Sequence, residues 1–206
     1  PSGPARLRIL GATWGGIIVT AELQGMITVE TFEALTLNMH TIHTKLLPDP
    51  AIGTIKTLVV LYQYDDGDGE MRLLNATQFA PHITVKITPT AHLDEEAKVL
   101  FDPVGGDGVE GGQGGGGQQQ VEIVAVLYGT GRIQTPSVLE ELIGYFEGRR
   151  GQIRLTDGFF RTNTWVGVKK SWTVFFRLRG VAGVSDKVRC VTGVENGALE
   201  VPWWRD

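Results

Sequence analysis

The sequence is poor in the residues from which disulfides, metal clusters and catalytic centres are built. Among 206 residues there is one cysteine, Cys190, and the four histidines all lie in the first half, at His40, His43, His82 and His92. A single cysteine excludes an intramolecular disulfide and a cysteine-rich zinc site, and it fits a reducing compartment. Nucleophile motifs such as GxSxG are also missing. We therefore expect a protein without enzymatic activity.

The chain also lacks a strong charge and a long apolar run. Its formal net charge is −4, and no basic run is longer than Arg149-Arg150 or Lys169-Lys170, so nucleic acid is not an expected partner. No stretch approaches the roughly 18 apolar residues of a membrane span, and the opening "PSGPARLR" lacks the apolar core of a signal peptide. These absences predict a cytoplasmic protein without a membrane partner.

What the sequence does contain is a repeated pattern. Residues separated by 114 positions match across the chain, beginning with "ILGATWGG" at 9–16 and "IVAVLYGT" at 123–130. The same shift aligns Gly53 with Gly167 and Lys56 with Lys170, without a net insertion. A shared register over about fifty positions predicts an internal duplication of one unit of about 85 residues, because chance rarely maintains such a register.

A glycine-rich segment separates the two copies. Nine glycines fall among residues 105–117, where they remove side-chain packing and raise the entropy lost on ordering. Its GxGxxG-like spacings do not indicate a dinucleotide site, since no strand pattern precedes them and no helical pattern follows. The predicted organisation is a first β domain at 1–91, a linker at 92–119 and a second β domain at 120–206.

Within each copy the apolar residues alternate or form short β-branched runs, such as "TIKTLVVLYQY" and "SWTVFF", that turn residues separate. The exception is "PSVLEELIGYF" at 136–146, whose apolar spacing is helical. The fold class predicted is all-β. We expect two similar antiparallel Greek-key barrel or sandwich domains, crystallin-like, with at most one short helix each.

The first copy contains "ATWGGIIVTAEL" and "LPDPAIGTIKTLVVLYQYDDG". This pattern resembles the domain at the carboxyl end of mitochondrial DnaJ-type proteins, which is also common in fungal proteins. The matching positions in the first copy include Trp14-Gly15, Asp49-Pro50, Gly53 and Lys56. The second copy keeps Tyr128-Gly129 and Lys170. The resemblance implies a shared fold. It does not imply co-chaperone activity, because the His-Pro-Asp tripeptide and the J-domain helices are missing.

Chain length, duplication, near-absence of cysteine and aromatic content are similar to those of the pink chromoproteins of oyster mushrooms. That resemblance implies a fungal, two-domain protein that holds a pigment.

Residues present in both copies are expected to serve the fold, whereas residues present in one copy are better candidates for binding. Trp165 stands where the first copy has Ala51, and Lys169 stands where it has Ile55. Large rigid indoles suit a flat ring ligand or a sugar face, and an amine suits a carbonyl group. A role in the core or at the interface between the copies stays open for them. The predicted ligand-binding residues are Trp14, Tyr128, Trp165, Lys169, Trp172, Trp203 and Trp204.

Two further segments could bind a metal ion, but a purely structural role explains each of them better. His40 and His43 fall on a predicted strand, where an offset of three residues puts them on opposite faces, so no metal site is expected. "DDGDGE" at 65–70 has the oxygen atoms for calcium but not the spacing of an EF-hand, and we interpret it as a hairpin turn.

The functional hypothesis is a non-catalytic protein that binds a small, planar, apolar molecule, with an aromatic, non-protein chromophore as the cofactor it would carry. The alternative is a carbohydrate-binding or protein-interaction module. A homodimer is compatible with both.

Overall fold

The structure is a computed structural model of the chain, and it describes residues 5–29, 31–46, 55–65, 70–78, 84–89, 101–103, 120–179 and 187–199. The chain divides into two compact units, Pro1–Gly105 and Gly106–Asp206. The boundary between them falls inside the predicted glycine-rich linker. Each unit is built around an antiparallel sheet, and each is described separately below.

The first unit begins with a sheet whose central strands are long and apolar. Its five strands lie in the order β2-β1-β5-β6-β8, and every neighbouring pair is antiparallel. Most of β5 is buried on both faces, which explains why "TLVVLY" does not alternate. The five strands are β1 (Leu7–Trp14), β2 (Ile17–Ile18), β5 (Thr57–Tyr64), β6 (Met71–Thr77) and β8 (Phe101–Pro103).

A second, three-stranded sheet in the same unit has the order β3-β4-β7, and two short helices accompany it. The leucines and isoleucines of β4 and β7 join the core that β1 and β5 form. Tyr64 ties the two sheets together, because its hydroxyl donates to the carbonyl oxygen of Glu33 at 2.7 Å. These elements are β3 (Thr28–Val29), β4 (Glu33–Asn38), β7 (Thr84–Ile87), α1 (Thr20–Gln24) and α2 (Ile42–Lys45).

The second unit has one four-stranded antiparallel sheet in the order β10-β9-β11-β12. The apolar side of an eleven-residue helix packs on this sheet, and Leu142, Ile143 and Phe146 enter the core with Val126 and Phe176. The rings of Phe146 and Phe176 stack with centroids 4.7 Å apart. The elements are β9 (Gln120–Tyr128), β10 (Gly131–Arg132), α3 (Pro136–Phe146), α4 (Asp157–Phe160), β11 (Ser171–Arg179) and β12 (Arg189–Val194).

The central strand pair has the same register in both units. Trp14 faces Leu58 in the first unit, and Tyr128 faces Trp172 in the second, each pair being 114 positions from the other. Both pairs contain a β-bulge at the matching place, since Leu10 and Val124 are skipped in their ladders.

Backbone hydrogen bonds around these strands also correspond. Gly15 donates to Thr57 in the first unit, and Gly129 donates to Ser171 in the second. Both glycines have a left-handed backbone, with φ of 54° and 57°. The first central residue of the corresponding turn therefore has the same conformation in each unit, whereas the second has a positive φ only in the first unit, at Gly16.

The all-β prediction is confirmed at the level of the class, because antiparallel sheets dominate both units. Closed barrels are not confirmed, since each sheet ends in edge strands within the described residues. The expectation of at most one short helix per unit is wrong, because α1 and α2 lie in one unit and α3 and α4 in the other. Residues 101–103, assigned to the linker from the sequence, form β8 and pair with β6.

The turn after β9 gives a direct test of this geometry. A Cβ at Gly129 would lie 2.7 Å from the Thr164 hydroxyl, and the left-handed backbone disfavours any larger residue. We expect Gly129→Ala to lower the free energy of unfolding by about 1–2 kcal/mol. Gly151→Ala is the matched control, since a Cβ there would meet no atom within 4 Å. Urea denaturation of both variants measures the difference, and equal stabilities would contradict the assigned turn.

Candidate functional site

The second unit contains a buried lysine in a cluster of acidic and phenolic groups. The Lys170 side chain is 2 % exposed, and its ammonium lies 3.1 Å from an Asp157 carboxylate oxygen and 3.6 Å from one of Glu195. The Tyr128 hydroxyl donates to the same Asp157 oxygen at 2.7 Å. The ammonium also lies 5.4 Å from the centre of the Tyr128 ring, which is within cation–π range. A buried cation is thus balanced by two carboxylates.

Local structure holds each member of this cluster in place. Thr156 caps α4 by accepting a hydrogen bond from the Phe159 amide, and this cap sets Asp157 at the first position of the helix. Phe160, on the same helix, stacks on the Tyr128 ring at 4.3 Å. At the other side, the Glu195 amide donates to the Lys170 carbonyl at 2.7 Å, directly after β12.

The cluster shifts the acidity of its members. The hydrogen bond from Tyr128 lowers the pKa of the Asp157 carboxyl, and the nearby ammonium of Lys170 lowers it further. Burial raises the pKa of Tyr128, and the hydrogen bond to Asp157 adds to that rise, so the phenol stays protonated. The resulting state is a charged Asp157 beside a neutral tyrosine.

A surface turn lies beside this cluster. The Val168 amide donates to the Trp165 carbonyl at 3.3 Å, and Gly167 has a φ of 76°, as a type II turn requires at its third residue. Val166 occupies the second position and is 81 % exposed. Trp165 is half-buried. We call residues 165–168 the Trp165 turn.

The Trp165 turn is fixed to the sheet through Thr164. The Thr164 hydroxyl donates to the Tyr128 carbonyl, and the Thr164 carbonyl accepts a hydrogen bond from the Thr130 hydroxyl at 2.9 Å. The Trp165 amide donates to the Asn163 side chain at 3.2 Å. These bonds attach the segment that carries the exposed Val166 to the end of β9.

The structure separates the predicted ligand-binding residues into two groups. Trp14, Tyr128 and Trp172 are between 0 and 3 % exposed, and the indole nitrogen of Trp172 donates to the Val194 carbonyl. These three rings pack in the cores. Trp165 and the exposed Lys169 reach the surface together, at the Trp165 turn and just after it. Trp203 and Trp204 lie outside the described residues.

Asp157 and Glu195 belong to the Lys170 cluster but were not found from the sequence. The signal for Asp157 is the Thr-Asp pair of an N-cap in "LTDGFF", and Glu195 lies in "VENGA", whose Asn-Gly pair indicates a turn. Neither motif shows that the two carboxylates converge on Lys170, because strand pairing and α4 bring them there.

The histidine prediction needs a correction. His40 and His43 do not share a strand, since β4 ends at Asn38 and His43 lies in α2. The Asn38 side chain accepts hydrogen bonds from the His40 and Thr41 amides, and this turn ends the strand. Most of "DDGDGE", residues 66–69, lies outside the described part of the chain.

Two kinds of feature are missing from the described residues. In those ranges, no three His, Cys, Asp or Glu side chains are grouped closely enough to hold a metal ion. No helix of the described chain has the length and apolarity needed to cross a membrane.

Comparisons with protein-family models, with curated proteins and with solved structures gave no match. The resemblances stated from the sequence therefore stay predictions.

The Lys170 cluster makes the stability of the protein depend on pH. Because the folded-state pKa of Asp157 lies below its unfolded value, its contribution is present above about pH 4 and is lost as the pH falls through the folded pKa. We expect Asp157→Asn to lower the free energy of unfolding by about 1 kcal/mol at pH 7. The effect is this small because the carboxylate is 36 % exposed and solvent screens its charge. The difference from wild type should shrink in acid.

Thermal unfolding at pH 7 and near pH 3 measures this dependence. The control is Glu141→Gln, because Glu141 pairs only loosely, at 3.6 and 3.8 Å, with the exposed Arg161 and Arg150. A loss of stability for Asp157→Asn that is the same at both pH values would contradict the assigned charge state.

Proposed function

We propose that this protein is a non-catalytic binding protein, built from two copies of one β module, that engages a partner protein through the Trp165 turn. The observation that carries the proposal is the exposed apolar tip at Val166, held rigidly by hydrogen bonds to the β9 end. An exposed valine alone is unremarkable on a protein surface. A half-buried indole beside it and a fixed backbone under both favour a binding surface.

The internal duplication is part of this proposal. Its support comes from the matching strand registers, the matching bulges and the two left-handed glycines, all at a spacing of 114 residues. Two copies of a module allow one copy to change while the other keeps the fold. Trp165 and Lys169 have no equivalent residue types in the first copy, where Ala51 and Ile55 stand.

The Trp165 turn also indicates the chemistry of the partner. Val166 and the indole of Trp165 offer an apolar contact, and the exposed ammonium of Lys169 follows on the same segment. A complementary surface would present an apolar depression with an acidic group at its border. A convex tip of this kind fits a protein groove better than it encloses a small molecule, since small-molecule sites are concave.

A small, planar, apolar ligand, such as a chromophore, is the second candidate function. The half-buried ring of Trp165 and the nearby amine of Lys169 favour it, as does stacking of a sugar on the same ring for a carbohydrate. The burial of Trp14, Tyr128 and Trp172 in the cores leaves this candidate with fewer accessible rings than the sequence predicted. We also propose a cytoplasmic location, because a chain with a single cysteine fits a reducing compartment.

Changing the Trp165 turn tests the first candidate. We expect Val166→Ser and Trp165→Ala to weaken partner binding about ten-fold or more, as removal of central interface residues does. Val29→Ser is the matched control, because Val29 is also exposed, at 65 %. Crosslinked capture from the source organism, read by mass spectrometry, should find a protein bound by wild type and Val29→Ser that both turn variants lose. Identical capture by all four proteins would contradict the proposal.

The visible absorbance of the native protein tests the second candidate function. A chromophore-binding protein purified from its source should absorb visible light and release an aromatic compound on denaturation. A glycan array tests the carbohydrate form of the candidate, with Trp165→Ala as the variant that should lose the signal. Colourless native protein without extractable ligand or glycan signal would remove this candidate and leave the first one standing.

A further inference from the structure

The first unit keeps the lysine of the Lys170 cluster and changes the acidic groups. Lys56 matches Lys170 in sequence, is 3 % exposed, and has its ammonium 6.0 Å from the centre of the Trp14 ring. The spacing of 114 places His43 at the position of Asp157. Strand pairing places Gln78 at the position of Glu195, because Thr77 pairs with Thr57 as Val194 pairs with Ser171. The same framework therefore carries two neutral or basic side chains where the second unit carries two carboxylates.

The backbone supports both correspondences. In α2 the Leu46 amide donates to the Ile42 carbonyl at 3.0 Å, and in α4 the Phe160 amide donates to the Thr156 carbonyl at the same distance. His43 and Asp157 are the second residues of these two matching turns.

The matching of Gln78 with Glu195 rests on a similar bond. The Gln78 amide donates to the Lys56 carbonyl at 3.0 Å, as the Glu195 amide does to the Lys170 carbonyl at 2.7 Å. Gln78 therefore follows β6 at the place where Glu195 follows β12.

Two nitrogen atoms at these positions have no hydrogen-bond partner. Trp14 is fully buried and its Nε1 makes no hydrogen bond, and the Nδ1 of His43 is equally buried and equally unsatisfied, as far as the structure describes the chain. In the second unit the Tyr128 hydroxyl at the Trp14 position donates to Asp157. Leaving a buried donor unsatisfied costs about 1–3 kcal/mol. Trp14 Nε1 can only donate and therefore lacks an acceptor, and His43 Nδ1 lacks one in the tautomer that carries its proton on that nitrogen.

We propose that the first unit binds the carboxylate group of a small molecule, which accepts hydrogen bonds from Trp14 Nε1 and His43 Nδ1 near the ammonium of Lys56. The ligand carboxylate would do in the first unit what the Asp157 carboxylate does in the second. Lys56 has an interaction of its own, so the hydrogen bonds to the ligand come from the two unsatisfied nitrogens. This site is independent of the Trp165 turn.

The donor set selects a carboxylate over other ligands. An indole nitrogen only donates, so Trp14 cannot bind a metal ion, and the neighbouring ammonium repels cations. The second unit provides a direct precedent for the chosen group, because its framework accommodates a carboxylate that receives one hydrogen bond from an aromatic residue and one contact from a lysine. A phosphate carries more charge and more acceptor atoms than two donors satisfy.

Acetate is the probe for this site in the full-length protein. In 15N-labelled protein, the indole N–H resonance of Trp14, assigned with Trp14→Phe, should shift saturably when sodium acetate replaces sodium chloride at constant ionic strength. His43→Asp places a carboxylate where Asp157 stands in the second unit, so we expect it to weaken acetate binding about ten-fold or more. His40→Asp is the matched control, since His40 is exposed just before α2.

A second measurement does not depend on the Trp14 assignment. Acetate should raise the melting temperature of wild type and of His40→Asp, relative to chloride, and should leave that of His43→Asp unchanged. Inorganic phosphate is the comparison anion. A Trp14 resonance and a melting temperature that are the same in acetate and chloride would overturn the proposal. A response to phosphate without a response to acetate, or an equal acetate response in His43→Asp, would overturn it as well.

Discussion

A lysine buried beneath an aromatic ring, at the end of the central strand pair, is the interaction around which each unit is arranged. Lys56 lies by Trp14 and Lys170 by Tyr128, and both lysines are about 3 % exposed. A buried ammonium is costly unless other groups compensate its charge. The surrounding turn, the short helix and the strand that follows are positioned where they can supply that compensation. The shared features of the two units are concentrated around this point.

The two units compensate the lysine in different ways. In the second unit Asp157 and Glu195 approach the ammonium, and Tyr128 completes the cluster as a neutral donor. In the first unit histidine and glutamine occupy the matching positions, and the indole nitrogen of Trp14 is left without an acceptor. The complete cluster rigidifies the base of the Trp165 turn, since Thr164 is bonded to the Tyr128 carbonyl. In the first unit we propose that this acceptor is the carboxylate of a ligand.

Much of the fold follows from local sequence patterns. The helix predicted at 136–146 is α3, with the same bounds, because Pro136 suits a first turn and the apolar residues have helical spacing. The sequence predicts a strand through His40 and His43, but the observed strand β4 ends at Asn38. There the Asn38 side chain accepts hydrogen bonds from the two amides that follow Met39, and the chain turns. Periodicity identifies strands well. It does not detect a side chain that interrupts one.

The candidate sites were harder to predict, because long-range contacts create them. Lys169 and Lys170 are adjacent residues of the same type, and only the position at the start of β11 shows that Lys170 is buried and Lys169 exposed. The matching of copies marked Lys170 as part of the framework but did not identify Asp157 or Glu195 as its partners. Asymmetry between the copies drew attention to Trp165 as a binding candidate, and the structure places it half-buried next to the exposed Val166. That asymmetry did not show that Trp14, Tyr128 and Trp172 would pack in the cores.

A double-mutant cycle on Lys170 and Asp157 tests the central interaction most directly. Unfolding free energies of Lys170→Met, Asp157→Asn and the double variant should reveal a favourable coupling of about 1 kcal/mol or more, because the two charges are 3.1 Å apart with Lys170 buried. The pair Lys169→Met and Asp157→Asn should be additive, since Lys169 is exposed. Additive effects in the Lys170 cycle would contradict the account.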